Sequence, residues 1–125
     1  MLAALYCLAE MLYFEARSEP PLSQLAVAYS AVNRQADARY PADTCGVVHD
    51  PGQYSYHSYG KSEGMPDKRA RGAALRVAGI ALLGLLPDPT HGATHYHEIC
   101  HYTWWAEGHM PVAWVGNHFY YVGIP

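Results

Sequence analysis

Charge is what this chain has least of. Only 15% of its 125 residues are Asp, Glu, Lys or Arg, whereas 50% are hydrophobic. That balance excludes a disordered chain and gives a single domain, residues 1–125, enough apolar surface to build its core unaided. The net charge of −3 argues against a nucleic-acid partner, whose binding surface would be basic and clustered. Cysteine is scarce as well. Cys7, Cys45 and Cys100 occur with no C-x-x-C among them, so neither a zinc ribbon nor a dithiol redox motif is expected. An odd count permits at most one intramolecular disulfide, and three reduced, partly buried thiols are the expected state, as in a protein made in the cytosol. Long apolar runs are also missing. The stretch 73–86 contains Arg76 and two glycines and is too short for a bilayer, so membrane insertion is not expected. The apolar residues 1–9 lack a basic flank and run straight into Glu10, which reads as a helix and not as a signal peptide.

Rings are abundant instead: 11 Tyr, 3 Trp and 8 His. Such side chains stack on sugars while their rims hydrogen-bond, and they equally suit a core with polar tips at the surface. Leu2, Leu5, Leu8 and Met11 or Leu12 recur at helical spacing. Ser18-Glu19-Pro20-Pro21 then breaks the pattern, with Ser18 as the expected N-cap and Pro20 or Pro21 in the next first turn. Leu22, Leu25, Ala26, Tyr29 and Val32 supply a second buried stripe, ending near Asn33-Arg34. Residues 40–64 read as loop. Pro66-Asp67 opens a third helix, with apolar positions through 70–85, and Leu86-Pro87-Asp88-Pro89 stops it. Residues 93–97 and 118–122 alternate and are rich in aromatic and β-branched types, as strands are. The expected class is α+β, a helical body with a small antiparallel sheet.

Glu15 stands out within Tyr13-Phe14-Glu15-Ala16-Arg17. Its carboxylate sits among Leu12, Tyr13, Phe14 and Ala16 at the C-terminal end of the first helix. Apolar neighbours and the helix dipole both disfavour its charge, so its pKa is expected to rise. A carboxyl that holds a proton near neutrality is what a general acid for glycosidic cleavage needs.

Seven short strings then fall in order. They are Tyr13-Phe14-Glu15-Ala16-Arg17-Ser18-Glu19-Pro20, Gln24-Leu25-Ala26-Val27-Ala28, Val32-Asn33-Arg34, Cys45-Gly46-Val47-Val48 and Gln53-Tyr54-Ser55. The last two are Asp88-Pro89-Thr90-His91-Gly92-Ala93-Thr94-His95-Tyr96-His97 and Gly116-Asn117-His118-Phe119-Tyr120. From about Leu5 to Tyr120 the chain resembles the SleB-type cell wall hydrolases, the spore-cortex-lytic and phage lysis enzymes that degrade peptidoglycan. The resemblance implies a lysozyme-like fold with Glu15 as the one catalytic glutamate. It implies a cut between N-acetylmuramic acid and N-acetylglucosamine, best supported in the family as lytic transglycosylation. Two positions depart from the family pattern, Ser18 and His91, each standing where glycine is usual.

In a transglycosylase one carboxylate can act first as acid and then as base, whereas a hydrolase wants a second carboxylate. Glu19 reads as a first-turn helix acid, and Asp37, Asp43 and Asp50 as turn formers, so the one-carboxylate route is expected. Gln53, Tyr54 and Ser55 match the family string and suit acetamido, ring and hydroxyl contacts. Thr94, Tyr96, His97 and Tyr120 are the other candidate substrate-binding residues. Alternation puts Thr94 and Tyr96 on one strand face and His95 and His97 on the other, without saying which faces inward. His118 reads as structural or cleft-lining. His91, His95, His97, Cys100, His101, His109 and His118 could in principle contribute to a metal site. None of these strings has a familiar metalloenzyme spacing, so no metal or other cofactor is expected. The alternatives are a zinc-dependent N-acetylmuramoyl-L-alanine amidase and a non-catalytic glycan-binding module. The expected partner is the peptidoglycan glycan strand. A monomer is expected, made in the cytoplasm and acting on the wall during phage lysis.

Overall fold

The structure, a computed structural model, describes residues 1–50, 54 and 64–125. The helices are α1 (Leu2–Ala16), α2 (Pro21–Gln35), the short α3 (Thr44–Val48) and α4 (Lys68–Leu83). The strands are β1 (His95–Glu98), β2 (Ala113–Val115) and β3 (His118–Tyr121), in the antiparallel order β1-β3-β2. A 3₁₀ turn at Trp104–Ala106 crosses between β1 and β2. No described helix is long and apolar enough to cross a membrane.

Helix α1 is the axis of the fold. Every residue from Leu8 to Tyr13 is buried, Glu10 included, because α2, α3 and α4 all pack against it. A helix enclosed on all sides reads as apolar all round, which is what this sequence shows. Glu15 lies where the helix leaves the core. Helix α4 is set by its ends: the Asp67 side chain accepts from the backbone N–H of Arg69 and Ala70, and Gly84 closes the helix at φ +63°.

The turn from α1 to α2 differs from expectation. Ser18 does not cap α2; Pro20 is at the N-cap with no side-chain bond, and Pro21 is the first helical residue. Pro21 brings no N–H and its fixed φ suits that position. The buried Gln24 organises the turn instead. Its Nε2 donates to the carbonyls of Ala16 and Glu19 at 3.1 and 3.2 Å, with Arg17 O at 3.4 Å. These contacts satisfy carbonyls that the end of α1 leaves free.

Three further expectations are corrected. Residues 40–64 are not all loop, since α3 forms there on an Asp43 cap that accepts from Gly46 N at 2.7 Å. Strand β2 had no signal in the sequence. The thiols are not all reduced: Cys7 and Cys45 form a disulfide with a Cα separation of 5.2 Å across 38 residues, and Cys100 is free and exposed. Docking of α3 on α1 brings the pair together. Closing a loop of that length restrains the unfolded chain by roughly 4 kcal/mol on the chain-entropy account.

The sheet is tied to α2 at the start of β1. Asn33 Nδ2 donates to Ala93 O and to Asp88 Oδ2, both at 2.9 Å. The buried Arg34 donates from Nε to Thr94 O at 2.6 Å, with its guanidinium over the rings of Tyr40 and Tyr54. Asp88 also accepts from Thr90 and from Gly92 N, which shapes the approach to the strand. His91 sits in this turn at φ +57°, a conformation costing an L-residue about 1–2 kcal/mol. Glycine would be unstrained there, whereas Ser18 needs no positive φ. A small second core of Ala26, Ala93, Val115 and Tyr120, with Tyr96 and Ala113 against it, glues one sheet face to α2.

Candidate active site

Glu15 is half-buried in the last turn of α1. Its charge acts on Tyr54, Tyr96 and His118. Tyr96 belongs to both cores, and its ring meets His118 edge-on at 4.9 Å and Tyr120 at 5.4 Å. Residues 96, 118 and 120 thus share the inner face, as strand alternation requires.

Tyr54 is 3% exposed. Its hydroxyl donates to Ser30 Oγ at 3.0 Å, since Ser30 spends its own proton on Val27 O. Burial pushes the Tyr54 phenol up. A ring held this way belongs to the core beneath the Arg34 guanidinium and is not the exposed sugar platform expected for it. Gln53 and Ser55 lie outside the described residues. Thr94 is buried next to the Arg34 anchor, and Tyr120 is fully buried. His97 does not join the group. It projects from the outer face, where Nδ1–H donates to Glu98 O and Nε2 accepts from Tyr121 OH, both at 2.7 Å.

Glu19 is nearer the chemistry than its sequence position suggested. It precedes α2, and α2 has no acid in its first turn. Its carboxylate instead approaches the β2–β3 hairpin: a Cβ on Gly116, at φ +56°, would strike Ser23 Oγ and lie 3.9 Å from Glu19 Oε1. Only glycine lets the hairpin settle this closely on α2. Glu19 acts on His118 and Tyr120 as Glu15 acts on His118 and Tyr96. The charges of both carboxylates therefore act on one imidazole, a link that sequence spacing did not reveal. Among the described residues no three His, Cys, Asp or Glu side chains converge as a metal-ligand set.

A sequence model of the cell wall hydrolase family matches residues 18–121. The chain belongs to the cell wall hydrolase family. A spore cortex-lytic enzyme of Halalkalibacterium halodurans is 37% identical over 89 residues, 71% of this chain and 25% of that protein. One from Bacillus cereus is 34% identical over 89 residues, 71% of this chain and 32% of its own length. The chain therefore spans about a quarter to a third of these relatives. Among solved structures, the catalytic domain of the Bacillus cereus SleB protein superposes with a TM-score of 0.76 at 26% identity, covering 96% of this chain and 90% of that one. The catalytic domain of the germination-specific lytic transglycosylase SleB from Bacillus anthracis gives 0.79 at 26% identity, over 94% and 92%. The fold is lysozyme-like, as the sequence resemblance implied. The span matched by the family model begins after Glu15.

Proposed function

We propose that this domain degrades peptidoglycan by cleaving the glycan bond between N-acetylmuramic acid and N-acetylglucosamine, as a lytic transglycosylase with Glu15 as its proton-transferring carboxylate. The observation that carries the reading is the place of Glu15. It stands at the mouth of a buried helix, and Gln24 locks the turn behind it. Precise placement of the acid is worth more to catalysis than its bare presence. Tyr96, backed by Thr94 and Tyr120, supplies a wall for a pyranose, and Gln53 and Ser55 complete the substrate-binding set.

The steps balance with one carboxylate. Protonated Glu15 gives its proton to the bridging oxygen as the C1–O bond breaks, and positive charge develops on the sugar ring. The sugar's own C6 hydroxyl then attacks C1 while the Glu15 carboxylate takes the hydroxyl proton, leaving a 1,6-anhydro ring and a regenerated acid. Glu19 supports a second reading. With Glu19 beside the hairpin, it could serve as base to a water, and the product would carry a reducing end. The Cys7–Cys45 disulfide suits the oxidising side of a membrane. It favours an exported wall enzyme over a phage lysin stored reduced in the cytosol.

Digestion of purified peptidoglycan, with products weighed by mass spectrometry, tests this. Anhydromuramic ends, one water lighter than reducing ends, are expected from wild type and not from Glu15→Gln. Reducing ends would move the assignment to a muramidase. Free stem peptides that vanish on chelation would overturn the glycosidase reading in favour of an amidase.

A further inference from the structure

Residues 68–87 hold four of the chain's eight Lys and Arg and no carboxylate. The proposed reaction uses none of them. Lys68, Arg69 and Arg76 are exposed and have no ion-pair partner among the described residues. Arg71 is partly buried and donates to Met65 O at 3.3 Å. The acids at either end of the stretch are already engaged, Asp67 in the α4 cap and Asp88 with Asn33, Thr90 and Gly92. Arg69, Arg76 and Leu83 recur every seven residues, so they share one face of α4. Gly72 lies on that face too, and a Cβ there would come 3.5 Å from Arg76 Nη1. The Arg76 guanidinium is therefore drawn back along the helix towards Arg69, which gathers the positive charge.

The same face ends in leucine. Leu83, Leu85 and Leu86, with Leu22 from the start of α2, are 50–65% exposed. Single exposed leucines are ordinary, but a contiguous group marks a surface that meets another apolar phase. Leu22 and Leu86 share a groove of about 260 Å³ whose other walls are Pro21, Leu25, Val77 and Ile80, all apolar. The turn that presents them is fixed by backbone bonds. After Gly84, Leu85 N donates to Ile80 O at 3.0 Å, and Leu86 O accepts from Tyr29 OH. Helices that end this way often fold the residue after glycine back onto the helix. Leu85 is the most exposed of the four instead.

Charge decides what meets this face. Two copies joined through it would set four cations against four with no carboxylate between them. An anionic bilayer reverses the sign, because its headgroups attract the cations while its acyl chains take up the leucines. The rest of the chain is acidic, since the net charge is −3 despite these four cations. Repulsion of that part turns α4 towards such a surface. We propose that α4 and the turn after it dock this domain on an anionic membrane surface. Leu83, Leu85 and Leu86 enter the acyl boundary, and Arg69 and Arg76 sit on lipid phosphates. No described helix can cross a bilayer, so the contact is peripheral. It goes beyond the glycan-cleaving reading and stands without it.

Flotation with vesicles tests this, comparing equal parts of phosphatidylcholine and phosphatidylglycerol with phosphatidylcholine alone. Wild type is expected to bind the mixed vesicles at least about tenfold more tightly, and high salt should remove the preference. Leu83→Ser/Leu85→Ser should weaken binding to mixed vesicles by at least about tenfold. Arg69→Gln and Arg76→Gln should each cost about fivefold there and leave binding to phosphatidylcholine unchanged. All these side chains are exposed, so thermal midpoints should stay within a few degrees of wild type. Equal binding of wild type to both vesicles, or undiminished binding by the leucine variant, overturns the proposal. So does a wild type that ignores vesicles and sediments as a dimer which Leu85→Ser makes monomeric, since the face would then belong to a second copy.

Discussion

The two faces of the small sheet carry similar side chains in opposite states. On the outer face His97 is fully occupied: Nδ1–H bonds to Glu98 O, Nε2 takes the Tyr121 proton, and the two rings stack at 5.3 Å. His95 pairs with Thr94 Oγ1 at 2.9 Å and meets the Trp105 ring edge-on at 5.1 Å. On the inner face His118 Nδ1 and Tyr120 OH are buried with no hydrogen-bond partner among the described residues. The outer rings satisfy one another and contribute stability. The inner ones carry an unmet hydrogen-bonding cost, which a fold tolerates where another molecule or a reaction uses those groups.

The largest test of that division is Glu15→Gln. Gln is isosteric with Glu but cannot transfer the proton, so we expect kcat on peptidoglycan to fall by about 10²–10⁴-fold. The thermal midpoint should stay within a few degrees of wild type. A comparable loss of activity from His97→Ala would break the contrast, because it would place chemistry on the satisfied face.

Much of this site was legible in the sequence, though unevenly. The helices could be read from Leu5 and Leu8 and from Leu25 and Tyr29, because burial imposes a local period, whereas Leu2 and Leu22 continue the same spacing but are exposed. Alternation along β1 separated Tyr96 from His97 correctly. It could not say which face was inner, since that is decided by Ala26 of α2 and Val115 of β2. Glu19 looked like a helix acid because its link to the hairpin runs through Gly116 and Ser23, about a hundred residues apart. The Cys7–Cys45 bond was hidden for the same reason: α3 is only five residues long and its docking on α1 leaves no periodic trace. Pattern reports local structure well, whereas close approaches between distant segments appear only in the fold.

Acid should sharpen the comparison next. The outer-face His95 is pushed down to about 4, mainly by burial and then by the Arg34 and Arg39 charges. Its folded value lies below the unfolded one, so the unfolded chain binds the proton more readily. Stability should therefore be intact above about pH 6.5 and decline as pH falls towards 4, where the loss levels off. Discounted for partial solvent screening, the loss is about 1–2 kcal/mol. Urea titrations of wild type and His95→Asn between pH 7 and 4 read it out. Equal slopes for both proteins over that window would remove His95 as the cause.

The finest test reverses the sign of one substitution across two adjacent residues. Tyr121→Phe removes the hydroxyl that His97 Nε2 accepts from, leaving that nitrogen unpaired, and should destabilise by about 1 kcal/mol. Tyr120→Phe removes a buried hydroxyl that has no partner among the described residues, so the folded state no longer carries its desolvation cost, and stability should rise by up to about 1 kcal/mol. The rings and their packing are unchanged in both, so the difference isolates the state of the hydroxyl. Urea unfolding midpoints measure it directly. If both variants lose stability equally, Tyr120 OH is satisfied in the folded chain, and the inner face is no more open than the outer one. If Tyr120→Phe gains stability and loses activity on peptidoglycan, the unpaired hydroxyl is retained at a cost in stability because the reaction uses it.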